Sequence, residues 1–143
     1  QRQMCIRDSV DTNVLLDLVT DDPQFADWSI AQLEAASLAG PLLINDVIYA
    51  ELSVRYDSKE ALDAFVSGIG LKRDPIPDAA LFLAAKVFRK YRKAGGTRSG
   101  VLPDFFIGAH AAVRGWPLLT RDLGRYRTYY PTVDVISPVR DSF

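Results

Sequence analysis

The residues best placed to do chemistry are four acids, Asp11, Glu51, Asp104 and Asp122, each standing where an acid needs a reason. Asp11 heads the run V-D-T-N-V-L-L-D-L, which is mostly apolar after Asn13. Glu51 comes three and four residues after Ile48 and Val47, so a helix sets it on their inward face, where an unpaired carboxylate is expensive. Asp104 stands one turn before Ile107 and Gly108, on a face whose small residues Gly108, Ala111 and Ala112 suit close packing against a sheet. Asp122 follows the strand-like Pro117-Leu118-Leu119-Thr120. Carboxylates gathered from these four places repel one another, and with no lysine in these motifs the ordinary remedy is a divalent cation. Oxygen donors select a hard ion, so Mg2+ or Mn2+ is expected rather than zinc. Taken singly, each acid has a plainer use. Asp11 and Asp104 can cap or favour helix starts, Asp122 can serve a turn, and Glu51 can pair with Arg55.

Convergence depends on the elements that carry the acids. Thr12 to Val19 reads as a short helix and Pro23 to Ala39 as a longer one, opened by proline and closed by Gly40-Pro41. Leu42-Leu43-Ile44 is a short buried strand, after which Asp46 is expected to cap a helix running to about Tyr56. Asp57 with Glu60 offers a capping box for a helix from Ser58 to about Ser67, and Leu71 to Ile76 reads as an edge strand. Pro77 opens the strongest helix, in which Ala80, Leu83, Ala84, Val87 and Tyr91 recur at helical spacing until Ala94. A loop over residues 95–100 leads to a helix from Pro103 to Arg114, then to strands at Leu118-Leu119 and Val133 to Ile136. Short apolar strands alternating with helices predict an α/β fold with a parallel sheet covered on both faces. In such a sheet Asp11 and Asp122 both lie at the carboxyl edge, where ligands bind.

Composition narrows the class. A chain of 143 residues builds one core, and its longest unbroken apolar stretch, Ala79 to Ala85, is far short of the roughly 20 residues of a membrane span. No membrane association is expected, and the compartment predicted is the cytoplasm. One cysteine and one histidine exclude a disulfide framework or a Cys/His zinc site within the chain. The net charge of −1 hides an acidic first half and a basic second half, the latter carrying Lys86, Arg89, Lys90, Arg92, Lys93, Arg98, Arg114, Arg121, Arg125 and Arg127. An anionic partner fits that second half, although a solvated helix face explains Lys86 to Lys93 equally simply.

Together, V-D-T-N-V-L-L-D-L, Glu51 in V-I-Y-A-E-L-S, P-D-F-F-I-G-A-H-A and L-L-T-R-D resemble the ordered acidic motifs of PIN domains, most of all the VapC ribonuclease toxins of type II toxin-antitoxin systems. The resemblance spans residues 10–138 and implies a three-layer α/β/α fold with a short, mostly parallel central sheet. It implies an Mg2+- or Mn2+-dependent endoribonuclease whose metal-binding and catalytic acids are Asp11, Glu51, Asp104 and Asp122, with Asn13 and Thr120 as the polar residues beside them. It also implies a VapB-like antitoxin as partner and a homodimer. Arg121, Arg125 and, more weakly, Arg98 are the candidate contacts to RNA phosphates. His110 falls off the Asp104 face and reads as a packing or surface histidine. Phe25, Trp28, Leu15 and Leu18 offer either core packing or a groove for an antitoxin segment.

Two other readings compete. A phosphatase of the haloacid dehalogenase type also places an aspartate after its first strand, but it resembles D-x-D-x-T, and Asn13 stands where the second aspartate belongs. A catalytically silent PIN-like domain that only binds RNA or protein is the third, against which the four intact acids speak.

Finally, Gln1 to Ser9 does not look like the strand that should lead into Asp11. A central parallel strand is nearly continuous in apolar residues, whereas Arg7, Asp8 and Ser9 are polar. Residues 1–9 therefore read as a foreign or disordered leader, residues 10–138 as the domain and residues 139–143 as a tail.

Overall fold

Local chemistry sets most element boundaries. The computed structural model describes residues 7–98 and 100–138, so Gln1 to Ile6 of the expected leader and the tail at 139–143 lie outside the described residues. In chain order the elements are β1 (Asp8–Val10), α1 (Thr12–Thr20), α2 (Ala26–Ala39), β2 (Leu42–Ile44), α3 (Asp46–Ser53), α4 (Lys59–Gly68), β3 (Leu71–Arg73), α5 (Asp78–Lys93), α6 (Leu102–Arg114), β4 (Leu118–Leu119), α7 (Leu123–Tyr129) and β5 (Val135–Ile136). The helix after Pro23 begins later than expected, because the Asp22 carboxylate accepts the N–H groups of Gln24 and Phe25 and makes a turn of them. Asn45 rather than Asp46 caps α3, accepting from Ile48 N at 3.0 Å, and the helix ends at Ser53 rather than Tyr56. Ser58, not Asp57, caps α4 through Ala61 N.

The strands form one sheet in the order β3-β2-β1-β4-β5, and all its pairs are parallel. Ser9 sits opposite Leu43 on one side and Leu118 on the other. Helices cover both faces of this sheet, giving the three layers of an α/β/α fold. The core is built from Val10, Val14, Leu15, Ile44, Ile48, Leu52, Phe105, Ile107, Leu118 and Leu119, all essentially inaccessible. Among the described residues no helix is long and apolar enough to cross a membrane.

Strand order decides where a ligand could sit. From β1 the chain winds outward to β2 and β3, then returns to the other side of β1 for β4 and β5. The winding reverses between β1 and β4, and a parallel sheet leaves a crevice beyond the carboxyl ends of its strands at such a point. Asp11 directly follows β1, and Thr120 and Asp122 follow β4.

Two findings depart from the sequence reading. Asp8 and Ser9 belong to the central strand and are buried, despite their polarity. Helix α7 was not expected at all. It brings Tyr126 and Tyr130 against α6, where a Cβ added to Gly108 would meet the Tyr130 ring at 2.4 Å and the Tyr126 ring at 3.1 Å. The small-residue face of α6 thus admits α7's aromatic rings as well as serving close packing.

Candidate metal centre

Asp11 is held by more donors than a helix cap requires. It does cap α1, accepting from Thr12 N at 2.7 Å. Its Oδ2 also accepts from Thr120 Oγ1 at 2.7 Å, Tyr126 OH at 3.2 Å and Asn13 Nδ2 at 3.3 Å. Asn13 donates in addition to Thr120 Oγ1, while its own Oδ1 accepts from Arg121 N at 3.1 Å. The amide is therefore fixed in orientation by both strand ends.

Glu51 projects from α3 and accepts a hydrogen bond from Thr12 Oγ1. Asp104, in the first turn of α6, faces the same space. Asp11, Glu51 and Asp104 together line one cleft of about 410 Å³, whose remaining walls are Thr12, Asn13, Leu16, Val54 and Arg55. Three of the four expected acids are thus brought together by β1, α3 and α6. Asp122 is not among the residues lining that cleft. It caps α7 and turns its Oδ2 to Arg125 Nη1 at 2.9 Å, and the same Nη1 also donates to Asp104.

Electrostatics mark the cleft as short of positive charge. Burial pushes the Asp11 carboxyl up to about 7, against the donor bond from Thr120 and with help from the Asp104 charge. Asp104 is pushed up to about 6 by burial, with Glu51 and Asp122 adding to the rise and Arg125 opposing it. Carboxyls that hold protons near neutrality because they are buried beside one another gain from a cation. Their all-oxygen chemistry fits Mg2+ or Mn2+. Yet among the described residues no three Asp, Glu, His or Cys side chains stand close enough to ligate one ion together as they lie.

The basic residues divide by position. Arg125 belongs to the site, between Asp104 and Asp122. Arg121 points the other way, pairing with buried Asp17 at 3.0 Å and lying over the Phe25 ring at 4.3 Å. Arg98 is exposed, and its backbone N donates to Tyr91 OH. His110 is buried against Trp116 with Nε2 at 2.7 Å from Asp74 Oδ2, apart from the cleft. Leu15 is wholly buried and cannot line a surface groove, while Leu18 borders a separate cavity of about 270 Å³ with Ile30, Leu33 and Ile69.

Sequence reasoning placed Arg125 only as a phosphate contact and missed Tyr126 and Thr12. The i,i+3 spacing of Asp122 and Arg125 was the available signal for the first. Thr12 was legible only as the neighbour of Asp11, and nothing in the pattern marked Tyr126.

A doubly covered parallel sheet that gathers buried acids at its switch point defines an acidic-site α/β domain, a class suited to binding cations beside anionic substrates. This chain belongs to the PIN domain family, whose model matches residues 9–129. Its fold is similar to VapBC2 from Rickettsia felis, solved bound to a promoter DNA fragment, with a TM-score of 0.72 and 16% identity over 92% of this chain and 98% of that one. DNA-bound VapBC from Salmonella typhimurium gives 0.68 and 18% over the same shares. FitAcB from Neisseria gonorrhoeae gives 0.64 and 22% over 92% of this chain and 97% of that one. No curated protein matches the sequence.

Proposed function

We propose that this chain is a metal-dependent endoribonuclease of the VapC kind, the toxin of a type II toxin-antitoxin pair, acting on RNA in the cytoplasm and restrained by a VapB-like antitoxin. The observation that carries this reading is the single cleft lined by Asp11, Glu51 and Asp104, each delivered by a different element. Asp11 and Asp104 would hold the principal Mg2+ or Mn2+ ion, with Glu51 and Asp122 completing the site. When bound, such an ion activates water for in-line attack on a phosphodiester and offsets the charge that builds on the phosphate and the leaving oxygen. The remaining tasks fall to the chain. Thr120, Tyr126 and Asn13 fix the Asp11 carboxylate by hydrogen bonds, and Thr12 fixes Glu51. Arg98, Arg121 and Arg125 are the arginines assigned to RNA phosphates, Arg125 once it is free of the acids.

Membership of the PIN family and a fold shared with toxin-antitoxin complexes support the nuclease and its protein partner. A homodimer is part of the same reading. The phosphatase alternative needs a proton-transferring acid two residues after Asp11. Asn13 has no such proton and instead donates its amide to Asp11.

The test is cleavage of RNA by the purified chain. Asp11→Asn and Asp104→Asn are each expected to abolish it, and EDTA to stop it. Full cleavage in either variant, or in the presence of EDTA, refutes the reading. Turnover of a small phosphate monoester through an acyl-phosphate on Asp11 would favour the phosphatase instead.

A further inference from the structure

Arg125 is tied to the acidic site at both ends. Its backbone N–H donates to Asp122 Oδ1 at 3.4 Å, while its Nη1 donates to Asp122 Oδ2 at 2.9 Å and to Asp104 Oδ2. We propose that Arg125 is a built-in counter-cation that a divalent ion must displace from Asp104, so that the chain binds metal more weakly than its acids alone would.

This rests on the reading that these acids hold a divalent ion, and three observations carry the step beyond it. First, the guanidinium and an ion compete for the same donors. The Asp104 carboxylate faces the cleft with Asp11 and Glu51, yet one of its oxygens is engaged by Arg125. Asp122, the fourth acid, is drawn to Arg125 and does not line the cleft. As the side chains lie, no set of three is placed to ligate one ion among the described residues.

Second, the two cations oppose each other at Asp104. A divalent ion on Asp104 would face the guanidinium across a single carboxylate, in a partly buried site where like charges are poorly screened. An arginine keeps its charge at all accessible pH, so only a stronger cation or an anion competing for the guanidinium can release it.

Third, Arg125 lacks the aromatic contact that Arg121 has. Arg121, four residues earlier, lies over the Phe25 ring and reaches an aspartate that is almost fully buried. Among the described residues no aromatic ring lies beneath the Arg125 guanidinium. Its hold is ionic, and ionic partners can be exchanged.

Direct Mn2+ binding decides the matter without reference to cleavage. In titrations of the full chain, with free Mn2+ read by electron paramagnetic resonance, Arg125→Gln is expected to bind the ion about 5- to 50-fold more tightly than the wild type. Arg125→Lys, which keeps the charge without the planar fork, should fall between them. In EDTA the Arg125→Gln chain should melt below the wild type, with the gap closing as Mn2+ saturates both. Equal or weaker Mn2+ affinity in Arg125→Gln overturns the exchange and leaves the acids standing as ligands. No Mn2+ binding by either chain overturns both. Should the variants fail to fold, the wild type is sufficient. Its Arg125 Nε–H resonance is expected to move to the position of a free arginine as Mg2+ saturates the chain, and a resonance unmoved at saturation overturns the proposal.

Discussion

The Thr120 hydroxyl donates to Oδ2 of Asp11 at 2.7 Å, joining the ends of β4 and β1 between two buried side chains. This bond favours the ionised carboxylate, so its loss raises the Asp11 pKa further above about 7. Thr120→Val keeps the shape and removes the donor. Mn2+ affinity at neutral pH is expected to fall about 10- to 100-fold and stability by about 1 kcal/mol. Unchanged Mn2+ affinity would remove Thr120 from the site.

The raised carboxyls of Asp11 and Asp104 set a pH dependence for the metal-free chain. Their values of about 7 and about 6 lie above the ordinary 3.8, so the folded chain holds these protons more tightly than the unfolded one. The stability they contribute is complete below about pH 4 and is lost as pH rises through 6 and then 7, at about 1.4 kcal/mol per pH unit for each group between its two values. Melting in EDTA should therefore fall from about pH 5 to about pH 8. Asp11→Asn should flatten much of that fall and melt higher at the upper end, while cleaving nothing. A slope equal to wild type in Asp11→Asn would contradict the assignment.

Asp8 occupies a position in the central strand that an apolar residue would fill. Among the described residues its Oδ1 is buried without a hydrogen-bond partner, and burial, with the nearby Asp134 charge, raises its pKa. Asp8→Val is expected to stabilise the chain by about 1–3 kcal/mol, the penalty for a buried unsatisfied polar group. Denaturant midpoints of the two chains would show it. A less stable Asp8→Val chain would mean that the carboxylate has a partner worth keeping.

Arg121 joins α1, α2 and the end of β4. Its guanidinium meets Asp17 Oδ1 at 3.0 Å, Ser29 Oγ donates to Asp17 Oδ2 at 2.8 Å, and its backbone N–H donates to Asn13. Arg121→Ala leaves the Asp17 charge buried and alone, which typically costs about 3–5 kcal/mol. Asp17→Asn in the same chain should recover part of the loss. RNA affinity separates the two roles of Arg121: a chain with Arg121→Ala that melts normally but binds RNA poorly would make this residue a phosphate contact alone.

Legibility in the sequence tracks the range of the forces involved. The runs Leu42-Leu43-Ile44 and Leu118-Leu119 announced β2 and β4 because parallel strands covered on both faces are uniformly apolar. Helix α5 was plain from its periodicity and its opening proline. Three acids of the cleft could be named because each broke a local pattern. Helix α7 could not, since R-Y-R-T-Y offers no amphipathic stripe and its start is the cap at Asp122, which reads equally well as a turn. The place of Arg125 among the acids is hidden for a related reason. Its contact with Asp104 requires α6 and α7 to be packed together, a relationship that spacing along one helix does not encode.

The pairing of β1 with β4 also fixes when the cleft can exist. Asp11 and Thr120 are 109 residues apart, and β1 lies between a neighbour made early and one made late. At about 5–20 residues per second of synthesis, some 5 to 20 s separate the two ends of that hydrogen bond on the ribosome. A nascent chain therefore carries Asp11 and Glu51 through that interval without the geometry that joins the site. If the chain cuts RNA as proposed, the machine that makes it is spared until β4 has been made.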